Sequence, residues 1–263
     1  MAEITYNSAA AERYERAFAH VTAHFIPLLL RAARIGPRQR VLDVATGTGL
    51  AAEAALRVVG TEGHVTASDA SASMAEQARA RLGDVSNVTV GVEDGQSMGY
   101  PSSCFDAVVC SLGLMFFPDP GRGLGEFSRV LRPGGRAAVS VLTVPDRSYN
   151  GRINVVAAEH LPHLRQGIAR TFSLGDEDTL RTMFTAAGFT DFRTTLERHD
   201  FVLPSFADYY EPFEAGGGST GEALAQLPES SRQLVREAVR RSLNDTGGPV
   251  TVPVEFRIAS GMK

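Results

Sequence analysis

An α/β fold built on a doubly wound parallel sheet is the class this sequence predicts, on three observations. Short β-rich runs alternate with helix-patterned stretches from Val41 to Leu142. The first of those runs, Val41-Leu42-Asp43-Val44-Ala45, passes directly into Thr46-Gly47-Thr48-Gly49, a glycine turn of the kind that opens a helix after a buried strand. The 263 residues are 43% hydrophobic and 21% charged, ordinary values for a domain with a real core, which excludes disordered and fibrous architectures.

In chain order, residues 8–34 read as a helix jointed at Pro27. At about 100° per residue, Ala10, Ala11, Tyr14, Phe18, Val21, Thr22 and Phe25 share one face, and Glu12, Arg13, Arg16, His20 and His24 share the other. Strands are expected at Val41 to Ala45, His64 to Ser68, Val88 to Val92, Phe105 to Ser111 and Arg136 to Leu142. Helices are expected between them near Leu50 to Val59, Ser71 to Leu82 and Gly121 to Leu131, and Leu131-Arg132-Pro133-Gly134-Gly135 reads as the turn into the fifth strand. Beyond it the pattern loosens. Gly151 to Leu161 and Glu177 to Ala187 read as helices, Gly188 ending the second, and a strand follows from Phe189 to Arg198. Phe206 to Phe213 reads as a short helix, and Gly216, Gly217, Gly218 and Ser219 as a flexible joint. Ser230 with Gln233 forms a capping-box pattern for a helix to Leu243, and Val252 to Ala259 alternates as a closing strand.

Charge and composition narrow the partners. The net charge of −4 disfavours a ligand held by neutralising many phosphates, so no nucleic acid is expected. Arg31, Arg34, Arg38 and Arg40 read as a solvated face. No apolar run approaches the ~18 residues of a membrane span, and Met1 to Asn7 lacks the basic-then-apolar order of a secretory signal. The expectation is a soluble, cytoplasmic protein without a membrane partner. Cys104 and Cys110 stand roughly 20 Å apart if extended, beyond the ~7 Å a disulfide can bridge, so both are expected as free thiols.

The glycine loop admits two ligand classes. Gly47, Gly49 and Ala52 satisfy the dinucleotide pattern G-x-G-x-x-G/A, in which a pyrophosphate rests on the helix N-terminus. Asp43, four residues before Gly47, would place a carboxylate close to that phosphate pair. S-adenosylmethionine carries a sulfonium and an ammonium instead, and an acid helps to hold it. Asp69, at the end of the second strand and 20 residues beyond Gly49, can accept from both ribose hydroxyls of either adenosine ligand. Glu93-Asp94-Gly95-Gln96 offers an acceptor for an exocyclic amine, and the apolar run from Leu112 to Phe117 suits a methyl-transferring end and an acceptor pocket.

In order and spacing, V-L-D-V-A-T-G-T-G, Asp69, the E-D-G of Glu93 to Gly95 and the L-R-P-G-G of Leu131 to Gly135 resemble the class I S-adenosylmethionine-dependent methyltransferases. Within them the set is similar to the small-molecule group that includes the ubiquinone/menaquinone-biosynthesis C-methyltransferases, over roughly residues 38 to 142. The resemblance implies a Rossmann-like methyltransferase fold, a seven-stranded, mostly parallel sheet whose last two strands, here Phe189 to Arg198 and Val252 to Ala259, form an antiparallel pair. It implies S-adenosylmethionine as cofactor, with S-adenosylhomocysteine as product and no metal. Carried over by position, Asp43, Ala45, Thr46, Gly47 and Gly49 line the methionine end, and Asp69, Ala70 and Met74 the ribose and adenine. Asp94, Gly95 and Gln96 take the adenine edge, and Ser111 and Leu112 the region beneath the sulfonium. Where relatives often carry cysteine or glycine, this loop reads Ala45-Thr46. The expected organisation is one domain, 1–263, with a core of about 35–145, 176–202 and 250–263 and helical lid segments of about 1–34, 146–175 and 203–249.

The acceptor pocket is expected under the lid, at Tyr14, Phe18, Phe116 and His160, since cofactor loops occupy the C-terminal sheet edge and these segments remain to cover it. His160 falls on the apolar side of its helix with Ile153, Ala157 and Leu161, as a core histidine or a general base. His20 and His24 have the spacing of a metal pair but lie on the charged face with no evident third ligand, so they read as solvated. The leading function is methyl transfer from S-adenosylmethionine to a small organic molecule. Ser111-Leu112-Gly113-Leu114 cannot serve as the Asn/Asp-Pro-Pro-Tyr/Phe element of amide N-methylators. The alternatives are a non-catalytic S-adenosylmethionine-binding partner protein and an NAD-dependent oxidoreductase.

Overall fold

The computed structural model of the chain describes residues 8–263, and its side chains from Phe18 onward. In order come α1 (Ser8–Ala32), β1 (Arg40–Val44), α2 (Leu50–Val59), β2 (His64–Asp69), α3 (Ala72–Leu82), β3 (Val88–Val92), β4 (Phe105–Ser111), α4 (Pro120–Val130) and β5 (Leu131–Leu142). Then follow α5 (Gly151–His160), α6 (Leu164–Thr171), α7 (Glu177–Ala186), β6 (Thr190–Leu203), α8 (Phe206–Glu214), α9 (Gly218–Ala225), α10 (Glu229–Ser242) and β7 (Val250–Met262). One seven-stranded sheet runs β3-β2-β1-β4-β5-β7-β6. The first five strands pair in parallel, and β7 lies antiparallel between β5 and β6.

Strand alternation fills both faces of this sheet. On one face Leu42, Val108, Cys110, Val139 and Val141 pack with Leu124 and Phe127 of α4 and Leu180 and Phe184 of α7. On the other Val41, Val65, Ala107, Val109 and Ala138 pack with Leu29 of α1 and Ala52 and Ala55 of α2. A third apolar cluster joins α1 to α5, α8, α10 and β7 through Phe25, Ile153, Tyr209, Phe213, Val239 and Phe256. No helix among the described residues is long and apolar enough to cross a membrane, and both cysteines are free.

Several elements differ from the sequence reading. The 131–135 turn is instead the first part of β5, which makes a bulge against β4 between Phe105 and Ala107. β6 runs on past Arg198 to Leu203 because each further residue pairs with β7. The glycine joint is not a free hinge: Gly217 and Gly218 are buried and Gly218 begins α9. Ser230 lies inside α10, which starts after Pro228 without a side-chain cap, while Gln233 reaches Glu229. His20 and His24 are exposed yet rest on β6, where the His24 ring stacks on His199 at 3.8 Å and His20 meets Phe201 edge-on.

Candidate active site

The strand order reverses between β1 and β4, and the loops leaving these strands diverge there to open a cavity of about 300 Å³. Its floor is the glycine turn. The Thr46 amide donates to the Ser68 carbonyl at 2.9 Å and the Gly47 amide to Asp69 Oδ2 at 2.9 Å, so β2 holds the loop that leaves β1. Asp69 Oδ1 also accepts from the Ser71 amide at 2.9 Å, tying the start of α3 to the same carboxylate. Gly49 caps α2 with φ +86°, a left-handed conformation costly for other residues, and a Cβ there would stand 3.2 Å from Ala78.

Asp43 sits beneath this turn rather than on the cavity wall. It is fully buried, with Oδ2 accepting from the Thr46 hydroxyl at 2.6 Å and Oδ1 without a hydrogen bond. Burial, opposed by the Thr46 hydroxyl, pushes its pKa up from 3.8 to about 7. An acid whose pKa is higher folded than unfolded takes up a proton on folding, so its contribution to stability falls as pH rises between the two values. Relative to Asp43→Asn, the native protein is therefore expected to lose stability from pH 3.8 to about 7 and to level off above that. Denaturant melts of both proteins across this window check it, and a constant difference would show that folding leaves the pKa of Asp43 unshifted.

Around the floor, Ala45, Thr46, Gly47, Asp69, Ala70 and Met74 line the cavity. Asp94, Gly95, Gln96, Ser111 and Leu112 line it as well. Of the thirteen cofactor residues expected from sequence, Asp43 and Gly49 alone do not reach this wall; both shape the turn instead. The Gln96 side chain is anchored outward, accepting from the Asp119 amide at 2.8 Å, with its own amide donating to Asp94 at 3.2 Å. Glu93 and Phe117, named in the acidic and apolar runs but not carried over as cofactor residues, also line it; sequence reasoning missed Ser71 and Thr48, adjacent to residues that it chose, and Thr22, which it placed only as a packing position on α1. Three carboxylates, Asp69, Glu93 and Asp94, line the cavity, and among the described residues no Lys, Arg or His does. That donor set fits a cationic adenosine ligand and is wrong for a pyrophosphate.

The β1 and β4 loops meet closely at one point. A Cβ on Gly113 would lie 2.5 Å from Ala45 Cβ and 2.9 Å from Cys110 Sγ. Gly113→Ala must push these loops apart, with an expected cost of about 1–3 kcal/mol from overpacking. A melting curve should fall accordingly, and calorimetry should show weaker binding of adenosine ligands; an unchanged melt would mean that the two loops yield freely.

A second cavity, of about 140 Å³, adjoins the first and shares Thr22, Leu112 and Phe116 with it. Phe18 and Val21 of α1 form part of its wall, as do Tyr149, Asn150, Asn154 and Thr171 from the segment around α5 and α6, and Gly218 and Ser219 at the start of α9. Met115, Leu142 and Phe256 complete it from the sheet side. Tyr149 is its sole titratable lining residue among those described, and burial raises its pKa to about 12. Phe116, 45% exposed, stands between the cavities. His160 is exposed at the end of α5 and lines neither cavity, so the expectation of a core histidine or base there is corrected. The Tyr14 side chain lies outside the described residues.

Residues 42–139 match a protein-family model described as a methyltransferase domain. The chain is 31% identical over 177 residues to the ubiquinone/menaquinone biosynthesis C-methyltransferase of Teredinibacter turnerae, covering 60% of this chain and 70% of that one. It is 34% identical over 166 residues to the demethylmenaquinone methyltransferase of Clavibacter sepedonicus, covering 57% and 65%. Among solved structures, the YcgJ protein of Bacillus subtilis shares the fold with a TM-score of 0.60 at 20% identity, covering 91% of this chain and 98% of that one. Phosphoethanolamine N-methyltransferase 2 of Haemonchus contortus, solved with S-adenosyl-L-methionine, shares it with a TM-score of 0.62 at 17% identity, covering 99% and 58%. The sequence match spans the very region where the sheet order reverses and the acidic cavity opens, and on that agreement the chain belongs to the class I S-adenosylmethionine-dependent methyltransferases.

Proposed function

We propose that the larger cavity holds S-adenosylmethionine and that the second, adjoining cavity holds a small organic molecule that receives its methyl group. The observation that carries this reading is the shared wall of Thr22, Leu112 and Phe116, which makes the two spaces immediate neighbours. In this reading Asp69 accepts from the ribose hydroxyls, with Ala70 and Met74 beside them. Asp94, Gly95 and Gln96 meet the adenine edge, Ala45, Thr46 and Gly47 the methionine end, and Ser111 and Leu112 the reacting centre. Asp43 and Gly49 act by holding the turn.

Bound there, S-adenosylmethionine supplies a methyl carbon on a sulfonium that leaves as a neutral thioether. The chain's own residues then have two tasks, positioning and water exclusion. Phe18, Phe116 and Phe256 give the acceptor cavity apolar walls, and among the described residues its lining brings no formal charge. The segments 1–34, 146–175 and 203–249 serve as the lid of a single domain whose core is 35–145, 176–202 and 250–263. The curated relatives are named for C-methylation in ubiquinone/menaquinone biosynthesis, so an apolar ring carbon is the first acceptor to test. Incubation with methyl-labelled S-adenosylmethionine and a pooled metabolite extract should place label in an organic-soluble small molecule. Label found only in protein or nucleic acid, or nowhere, overturns the proposal.

A further inference from the structure

We propose that Asn154 is the specificity-determining residue of the acceptor cavity, its side-chain amide donating to an uncharged oxygen on an otherwise apolar molecule. This rests on the reading of the second cavity as the acceptor site. Most of that cavity is walled by carbon, from Phe18, Val21, Leu112, Met115 and Phe256. Its polar corner is built from α5 and the residues just before it, and a hydrogen-bonded chain fixes how that corner is presented. Ser148 Oγ donates to Asn150 Oδ1 at 3.2 Å, Asn150 Nδ2 donates to Thr220 Oγ1 at 2.7 Å, and Thr220 Oγ1 donates to Asn154 Oδ1 at 2.8 Å.

A hydroxyl has one proton, and Thr220, which is 1% exposed, spends it on Asn154. The carbonyl end of Asn154 is thereby occupied. Its Nδ2 has no partner among the described residues, and Asn154 lines the cavity. The chain of bonds therefore fixes Asn154 as a donor. Such a corner takes a keto or hydroxyl oxygen and disfavours an ammonium, for which the cavity lining holds no carboxylate among the described residues. Asn150 and Thr220 are positioning residues in this scheme, since they act through Asn154.

Three bicyclic probes of one size separate the possibilities: 1-tetralone with a keto oxygen, tetralin with none, and 1-aminotetralin with an ammonium. Binding is measured by calorimetry on the protein saturated with S-adenosylhomocysteine. The native protein should favour 1-tetralone over tetralin by about fivefold, the effect of one neutral hydrogen bond, and bind 1-aminotetralin most weakly. Asn154→Ala should remove the tetralone advantage while tetralin affinity stays within about twofold, and Asn154→Asp should turn the preference toward 1-aminotetralin. Thr220→Val should reduce the tetralone advantage and Thr220→Ser restore it, with affinity for S-adenosylhomocysteine unchanged throughout. A tetralone advantage that survives Asn154→Ala overturns the role of Asn154 alone. Failure of all three probes to bind, or binding that survives filling the cavity by Ser219→Trp, overturns the assignment of the cavity itself.

Discussion

Asp69→Ala is expected to lower affinity for S-adenosylhomocysteine at least tenfold. A carboxylate offers about four lone-pair directions, of which the Gly47 and Ser71 amides use one on each oxygen, leaving the others for ribose hydroxyls at the cavity wall. Hydrogen bonds to a charged group are worth about 1.5–3 kcal/mol each, so losing even one gives roughly a tenfold change. The structure adds a second route to the same loss. With the carboxylate gone, the Gly47 amide loses the anchor that sets the turn, so the site is also less well formed before binding. Burial raises the pKa of Asp69 while the two amides oppose that rise. Asp69→Asn separates the two routes, because its side-chain oxygen can still anchor one amide although the charge is lost. Unchanged affinity in Asp69→Ala would show that Asp69 meets no ligand.

Phe213→Ala should be the largest single loss of stability, about 3–5 kcal/mol, which lowers the melting temperature by roughly 6 to 20 °C for a chain of this size. Phe213 is fully buried in α8, its ring centroid 5.4 Å from that of Phe18, 6.0 Å from Tyr149 and 5.7 Å from Tyr209. Phe18 and Tyr149 both line the second cavity, so the hole left behind lets that wall relax. Methyl transfer should fall far more than affinity for S-adenosylhomocysteine, whose proposed site is built by loops on the β1 to β4 side. Equal losses in both would mean that the segments over the second cavity and the cofactor loops fail as one unit.

What could be read in the sequence follows from where the physics is local. β1, β2, β4 and the turn after β1 were legible because buried strands are short apolar runs and a left-handed turn favours glycine, so Gly49 and the acids around it announce themselves; β3, an edge strand with no buried residue, was legible from its valines and threonine. The second cavity was legible only in outline. Its wall joins Phe18, Asn154 and Ser219, which come together through tertiary packing that no periodicity records. α6, Leu-Arg-Gln-Gly-Ile-Ala-Arg-Thr, has no buried residue and went unread; Arg170 holds it by donating to the Phe116 carbonyl. α9 went unread because it opens with glycine, and β6 was read short because what carries it from Arg198 to Leu203 is pairing with β7, a long-range contact that no local pattern records. His160 misled for a simple reason. The helical wheel continues past the last turn, but α5 ends at that residue and Leu161 turns away with φ −124° and ψ 77°.

The central claim, that the acidic cavity beside the glycine turn is built for a cationic adenosine ligand and not for a dinucleotide, is tested most directly by ligand-induced stabilisation. S-adenosylhomocysteine at a hundredfold excess over its dissociation constant should stabilise the protein by about 2.7 kcal/mol, raising the melting temperature by roughly 5 to 11 °C. NAD at the same concentration should produce no shift. Stabilisation by NAD with none from S-adenosylhomocysteine would contradict the account.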